Sequence, residues 1–326
     1  MPRLRTRWPL LLAALTLCTA ALAELPPRVR QALQQAQVPP SAVAVLVAPA
    51  DMPTLQPKLA HREHAAMNPA SVMKLLTTYA GLQLLGPDHV WRTRVYTEGR
   101  LQGGVLQGQL LLRGGGDPKL VLEQVQALVA EIRAAGVQEV RGDIVLDRSA
   151  FEITARDAGS FDGEPLRPYN AAPDALLINF KSLLVHFVPE RSGTNVARVH
   201  VEPPLSGVQV QASVPLSRED CTDYRSALRA DWTDPTRIRF LGSYPQACGE
   251  RIWPVAYSAP NQYAARVIAG MWQQLGGQLT GQVREGVVPA HLTPAFVSES
   301  PTLAEVVRDI NKFSNNVMAQ QVFLTL

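Results

Sequence analysis

Asn68-Pro69-Ala70-Ser71-Val72-Met73-Lys74-Leu75-Leu76 is the stretch on which the reading of this chain turns. Apolar residues at spacings near three and four (Leu75, Leu76, Tyr79, Leu82, Leu84) predict a helix that opens after Pro69. It stops at Gly86-Pro87, where glycine favours a helix end and proline cannot continue it. Ser71 falls in the first turn. Lys74, three positions on, shares its face, which brings hydroxyl and amine within reach of each other. An uncharged lysine so placed takes the serine proton. Lowering its pKa from about 10.4 to about 7 costs ~4 kcal/mol, which burial and the dipole of an opening helix can supply. A serine and lysine at this spacing are ordinary on a helix surface. Here the chain holds five lysines against twenty-six arginines, and Ser71 is the one serine with a lysine three positions on. An amine has been kept where its deprotonation matters, which a guanidinium could not offer.

The N-terminus carries Arg3, Arg5 and Arg7, an apolar run from Leu10 to Leu17, and small residues ending Ala21-Leu22-Ala23. That is the layout of an export signal, cleaved after Ala23 (residues 1–23). The apolar stretch from Trp8 to Ala23 is shorter than the roughly 20 residues a spanning helix needs, so at most peripheral membrane contact is expected. Cys18 is preceded by a bulky Leu17, which disfavours lipidation. Removing the signal leaves 28 basic against 28 acidic side chains, and no nucleic-acid footprint remains. A hydrophobic content of 46% excludes a disordered chain. The surviving pair Cys221 and Cys248, in an oxidising compartment, is expected to form a disulfide.

Ser41–Ala48 reads as a buried strand, the first of the core sheet. Residues 98–253 read as a β-rich insert, with strands expected at Val105–Leu112, Val140–Leu146, Ala175–Phe187, Ala197–Val201, Val208–Val214 and Arg237–Leu241. One helix interrupts it, Leu120–Ala135. Helices follow at Asn261–Leu275, Thr302–Ile310 and Asn316–Leu326. The expected division is a catalytic domain of residues 24–97 and 254–326 around the insert, in an α/β (α+β) fold with an antiparallel core sheet.

Ser314-Asn315-Asn316 falls on a predicted loop between the last two helices. A hydroxyl there can relay a proton to a leaving amine, and the Asn316 amide can orient both the lysine and a substrate peptide bond. Alone, such a tripeptide is common turn chemistry. Together with Ser71-Val72-Met73-Lys74, the triglycine loop Gly114-Gly115-Gly116-Asp117-Pro118 and the cysteine pair, it resembles the serine β-lactamase and penicillin-binding protein superfamily. More narrowly, it resembles D-Ala-D-Ala carboxypeptidase/endopeptidases of the penicillin-binding protein 4 type. The resemblance covers essentially the whole mature chain. It implies an acyl-enzyme on Ser71 with Lys74 as base, Ser314 and Asn316 completing the proton path, and the Ser71 N–H as one oxyanion donor. It also implies peptidoglycan stem peptides as substrates, β-lactams as covalent inhibitors, a periplasmic location, and neither metal nor cofactor. Asp162 and Tyr169, in a polar loop, would by the same analogy reach the substrate side chain, although a structural loop role weighs more for them. The large insert disfavours a compact β-lactamase.

The family's third element, K-T-G on a strand, does not follow Ser314; Arg191-Ser192-Gly193 reads as a turn. The chain is therefore expected to be a C-terminally incomplete form of a longer protein, and its activity is in question. Losing one oxyanion donor alone costs about 10² to 10³ in rate. A catalytically impaired peptidoglycan binder is the alternative. A core sheet lacking later strands would also leave an open edge and an uncovered apolar face. His61-Arg62-Glu63-His64 is not the H-E-x-x-H order of a zinc site and reads as surface histidines. The oligomeric state is left open.

Overall fold

The computed structural model of the 326-residue chain describes residues 25–51, 56–153, 157–190 and 193–326. The expected export signal and Cys18 lie outside the described residues, as do Arg191 and Ser192. The chain forms two compact units, Met1–Ala70 and Ser71–Leu326.

In the first unit, helix α1 (Pro27–Gln35) starts on a proline that its first turn tolerates. The strand expected at Ser41–Ala48 is reduced to Val45–Val47 and pairs antiparallel with Leu59–His61, Leu46 opposite Ala60. It joins no larger sheet among the described residues.

The second unit opens with α2 (Met73–Leu85), preceded by a 3₁₀ turn over Ala70–Val72. Strands Arg92–Gln102 and Val105–Arg113 form a hairpin in which Gly103 and Gly104 have φ of +58° and +81°. A two-residue hairpin loop with left-handed backbone at both positions matches the twist of the strands, and glycine takes that conformation without a steric penalty. Helix α3 (Leu122–Ala134) then crosses over, so Glu139–Arg141 and Ile144–Asp147 run parallel to Val105–Arg113. Three strands from much later in the chain complete this seven-stranded sheet. Gln278–Leu279 and Val283–Glu285 add in parallel, and Phe296–Glu299 adds antiparallel to Arg92–Gln102. The largest sheet is thus mixed, not antiparallel throughout, because the α3 crossover returns the chain in the same direction. The expected strand Val140–Leu146 is broken at Gly142-Asp143, and Ala175–Phe187 becomes a strand only at Ser182–Pro189.

A second, five-stranded sheet has the order Tyr244–Pro245, Ser213–Ser217, Val196–Glu202, Ser182–Pro189, Arg251–Ala256, and three short strands lie beside it. Its inner face buries Val185, Phe187, Ala197 and Val214, with Phe187 stacked on Tyr244 at 5.2 Å. Helix α4 (Tyr224–Leu228) follows Cys221, and the expected disulfide Cys221–Cys248 is formed across a separation of 27 residues. Replacing both cysteines by alanine is expected to cost about 2–4 kcal/mol, chiefly through the freed unfolded chain. A urea titration of the double variant checks this, and an unchanged midpoint would refute it.

Helix α5 (Pro260–Gln274) buries Tyr263, Val267, Ile268, Met271 and Trp272 in the same core as the apolar stripe of α3 (Val125, Leu128, Val129, Ile132). The chain ends in α6 (Leu303–Phe313) and α7 (Asn316–Thr325). Helix α6 begins with a reciprocal cap, in which Thr302 N donates to Glu305 Oε2 at 2.9 Å while Glu305 N donates to Thr302 Oγ1. No helix among the described residues is long and apolar enough to cross a membrane.

Candidate active site

Helix α2 meets α6 and α7 over a small core of Trp91, Leu303, Val306, Ile310, Met318 and Val322, onto which Leu82 and Leu85 pack. The face that α2 turns inward differs from the one its leucines suggest. Thr78 and Gly81 are buried, while Leu75, Leu76, Tyr79 and Leu84 are 56–72% exposed. The approach is close here, since a Cβ at Gly81 would sit 3.0 Å from Val322 Cγ1, which would have to give way to a larger residue. One turn away, Asn311 Nδ2 donates to Thr78 Oγ1 at 3.2 Å, tying α2 to α6. The opposite face of α2 is apolar and uncovered among the described residues.

This packing brings the ends of α2 and α6 together. Lys74 Nζ lies 3.1 Å from Ser71 Oγ, within hydrogen-bond reach, and Ser314 Oγ donates to Ser71 Oγ at 2.8 Å across 243 residues of sequence. Ser71 enters from a loop in which Ala70 N donates to Asn68 Oδ1 at 2.9 Å, an Asx-type turn that delivers the chain into the helix. Ser314 ends α6 in the left-handed region (φ +54°), a conformation rare for a side-chain-bearing residue and held here by helices on either side. Asn315 caps α7 by accepting from Met318 N at 3.0 Å. Asn316, the first residue of α7, is half-buried, and its amide makes no hydrogen bond to another described residue. Burial pulls the Lys74 ammonium below the usual lysine range, favouring its uncharged form.

Asp162 and Tyr169 are both exposed and belong to one ordered loop. Tyr169 Oη donates to Asp162 Oδ2 at 2.7 Å, Asn170 Nδ2 donates to Oδ1 at 2.7 Å, and Glu164 N donates to Oδ1 at 3.0 Å. These donors, the tyrosine hydroxyl first, hold the Asp162 carboxyl below the usual carboxylate range. The 168–170 turn packs against α7, whose first residue is Asn316. Asn170 went unnoticed in the sequence, because only the fold shows that this asparagine braces Asp162.

The triglycine loop packs closely against neighbouring backbone. Cβ atoms at Gly114 and Gly115 would lie 2.1 Å from Ala175 O and 2.4 Å from Arg92 O. Gly116 O accepts from the Gln321 side chain at 3.0 Å, anchoring α7. His61 approaches the Pro40 carbonyl at 3.3 Å, and His64 is exposed with Nε2 3.7 Å from Glu63 Oε1.

The chain belongs to the D-Ala-D-Ala carboxypeptidase 3 (S13) family, whose model matches residues 25–326. It is 25% identical over 254 residues to the D-alanyl-D-alanine carboxypeptidase DacB of Haemophilus influenzae, covering 78% of this chain and 53% of that one. It is 29% identical over 269 residues to a D-alanyl-D-alanine carboxypeptidase of an Actinomadura species, covering 78% and 48%. The crystal structure of penicillin-binding protein 4 from Haemophilus influenzae superposes with a TM-score of 0.64 at 25% identity, over 82% of this chain and 59% of that one. The same protein complexed with a β-lactam superposes at 0.63 and 22% identity, which speaks for the fold alone. The chain spans about half the length of the curated relatives it matches.

Proposed function

We propose that this protein is a serine-type D-Ala-D-Ala carboxypeptidase/endopeptidase acting on peptidoglycan stem peptides and cross-links through an acyl-enzyme on Ser71. The observation that carries the reading is that Ser71 Oγ lies 3.1 Å from Lys74 Nζ and 2.8 Å from Ser314 Oγ at once. Uncharged Lys74 accepts the Ser71 proton as Oγ attacks the carbonyl between two D-alanines. The Ser71 N–H, at the opening of a helix, donates to the oxyanion. Collapse of the tetrahedral intermediate breaks the C–N bond, and the amine of the departing D-alanine takes the proton that Lys74 received, relayed through Ser314. Water then adds to the ester, its proton passing back along the same path, and Ser71 is released with the shortened peptide. Asn316 orients Lys74 and the substrate peptide bond, and Asp162 and Tyr169 reach the substrate side chain. The names of the relatives and the β-lactam complex support this substrate class and predict β-lactams as covalent inhibitors.

In this reading α2 and α5–α7 belong to a catalytic part, residues 24–97 and 254–326. Residues 98–253 form the insert, and the strand Arg92–Gln102 crosses between them. The location is periplasmic.

The test is incubation with a labelled β-lactam followed by peptide mapping, alongside release of D-alanine from a D-Ala-D-Ala peptide. The adduct is expected on Ser71 together with D-alanine release. Muropeptide binding with neither would favour the second reading, a catalytically impaired binder.

A further inference from the structure

On the outer face of the five-stranded sheet, two histidines stand directly opposite each other. His186 and His200 pair in register across the antiparallel strands Ser182–Pro189 and Val196–Glu202, and their rings stack at 4.1 Å with planes 16° apart. Glu202, two residues beyond His200 and so on the same face, brings Oε2 to 3.1 Å from His186 Nε2. One potential donor atom from each of the three lies within 4.8 Å of the others. We propose that His186, His200 and Glu202 form a binding site for a divalent transition metal of the Zn²⁺ kind, with one coordination position open to solvent.

The donor set carries the choice of metal. Two imidazole nitrogens and a carboxylate oxygen suit zinc and its neighbours, whereas calcium and magnesium take oxygen. With zinc-to-ligand distances of about 2.0–2.2 Å, tetrahedral ligand atoms stand roughly 3.3 Å apart. The His186–Glu202 pair, at 3.1 Å, is already close to that separation. The remaining gap closes by rotation of His200, which is exposed and makes no hydrogen bond to another described residue.

The surroundings agree. His186 is flanked along its strand by the outward Leu184 and Val188 and is opposed on the next strand by Ile252, giving the three ligands an apolar rim. An apolar shell around a polar ligand set strengthens the electrostatics inside it. Arg198, two residues before His200 on the same face, is engaged by Glu190. A plain imidazole–carboxylate hydrogen bond would account for His186 and Glu202 but leaves the aligned His200 without a role. The triad lies on the five-stranded sheet, not among α2, α6 and α7, and the proposal stands whether or not Ser71 is acylated.

The test uses the untagged full chain, stripped with chelator and titrated calorimetrically with Zn²⁺, with Co²⁺ as spectroscopic probe. One equivalent of Zn²⁺ is expected to bind and to raise the thermal transition, because the native state alone assembles the site. Co²⁺ is expected to show the visible bands of a four- or five-coordinate N/O site. His200→Gln keeps the His186–Glu202 bond and alters an exposed residue, so it folds. It should weaken Zn²⁺ binding by at least about 10-fold, as should Glu202→Gln. The double variant His61→Gln/His64→Gln should bind as the native chain does. Failure of the folded native chain to take up Zn²⁺, or uptake that survives both His200→Gln and Glu202→Gln, overturns the proposal. Labelling of Ser71 by a β-lactam, unaffected in His200→Gln, separates this outcome from failure of the catalytic reading.

Discussion

Ser71→Ala is expected to abolish covalent labelling by a β-lactam, and Lys74→Arg to slow acylation of Ser71 by about 10² to 10⁴-fold, the usual contribution of a general base. The first variant removes the nucleophile. The second keeps a long basic side chain but replaces the amine with a guanidinium that does not deprotonate in a protein. In the native chain the lysine is pulled below its ordinary range by burial and stands 3.1 Å from the Ser71 hydroxyl. A lowered amine pKa places more of the uncharged base at a given pH. The acylation rate should therefore rise with pH through the Lys74 titration, with its ascending limb below the unperturbed value of about 10.4. In Lys74→Arg that limb should vanish. Stopped-flow acylation with a chromogenic β-lactam from pH 6 to 10 reads both effects. Equal rates for the native and arginine chains would remove Lys74 from the mechanism.

The largest effect on stability is expected at Asp174. Its carboxylate, 1% exposed, pairs ionically with Arg148 Nη2 at 2.7 Å and Lys181 Nζ at 2.8 Å, and accepts from Arg148 Nε at 2.9 Å and from Leu176 N at 3.0 Å. Lys181 is itself buried. The Asp174 backbone N–H donates to Gln321 Oε1 at 2.9 Å, while its carbonyl accepts from Gln321 Nε2 at 2.9 Å. This cluster joins the chain after the 157–172 loop to the middle of α7, and so holds up the corner that carries Ser314. Asp174→Ala strands a buried ammonium without a counter-charge, and removing one partner of a buried ion pair costs about 3–5 kcal/mol. Urea unfolding should show the loss. Adding Lys181→Met to Asp174→Ala should recover part of it, because the stranded charge goes too. A double variant no more stable than the single one would place the cost elsewhere, in the Gln321 contacts.

Much of the chain's helical content was legible because a helix is a local pattern. The Leu120–Ala135, Asn261–Leu275 and Thr302–Ile310 readings correspond to α3, α5 and α6 within a few residues. Strands fared less evenly, since an apolar run reads alike as strand or buried loop. Ala175–Ile178 is fully buried yet lies outside the strand that begins at Ser182, being occupied with the contacts around Asp174 and Gly116. In α2 the helix was legible but its inward face was not, because leucines advertise burial and glycine does not. Gly81 lies at the close approach to Val322.

The sequence by itself determined the placement of Ser71 and Lys74 one helical turn apart, since three residues of helix set that distance whatever the rest of the chain does. It also marked the Ser314 corner as chemically suggestive and the two cysteines as partners. Only the tertiary structure decided that Ser314 Oγ stands 2.8 Å from Ser71 Oγ, that Asn170 braces Asp162, and that His186 faces His200. These are meetings of residues far apart in the chain, on separate strands, or across a folded loop. No local periodicity encodes them; they follow from which helix faces and strand registers pack together.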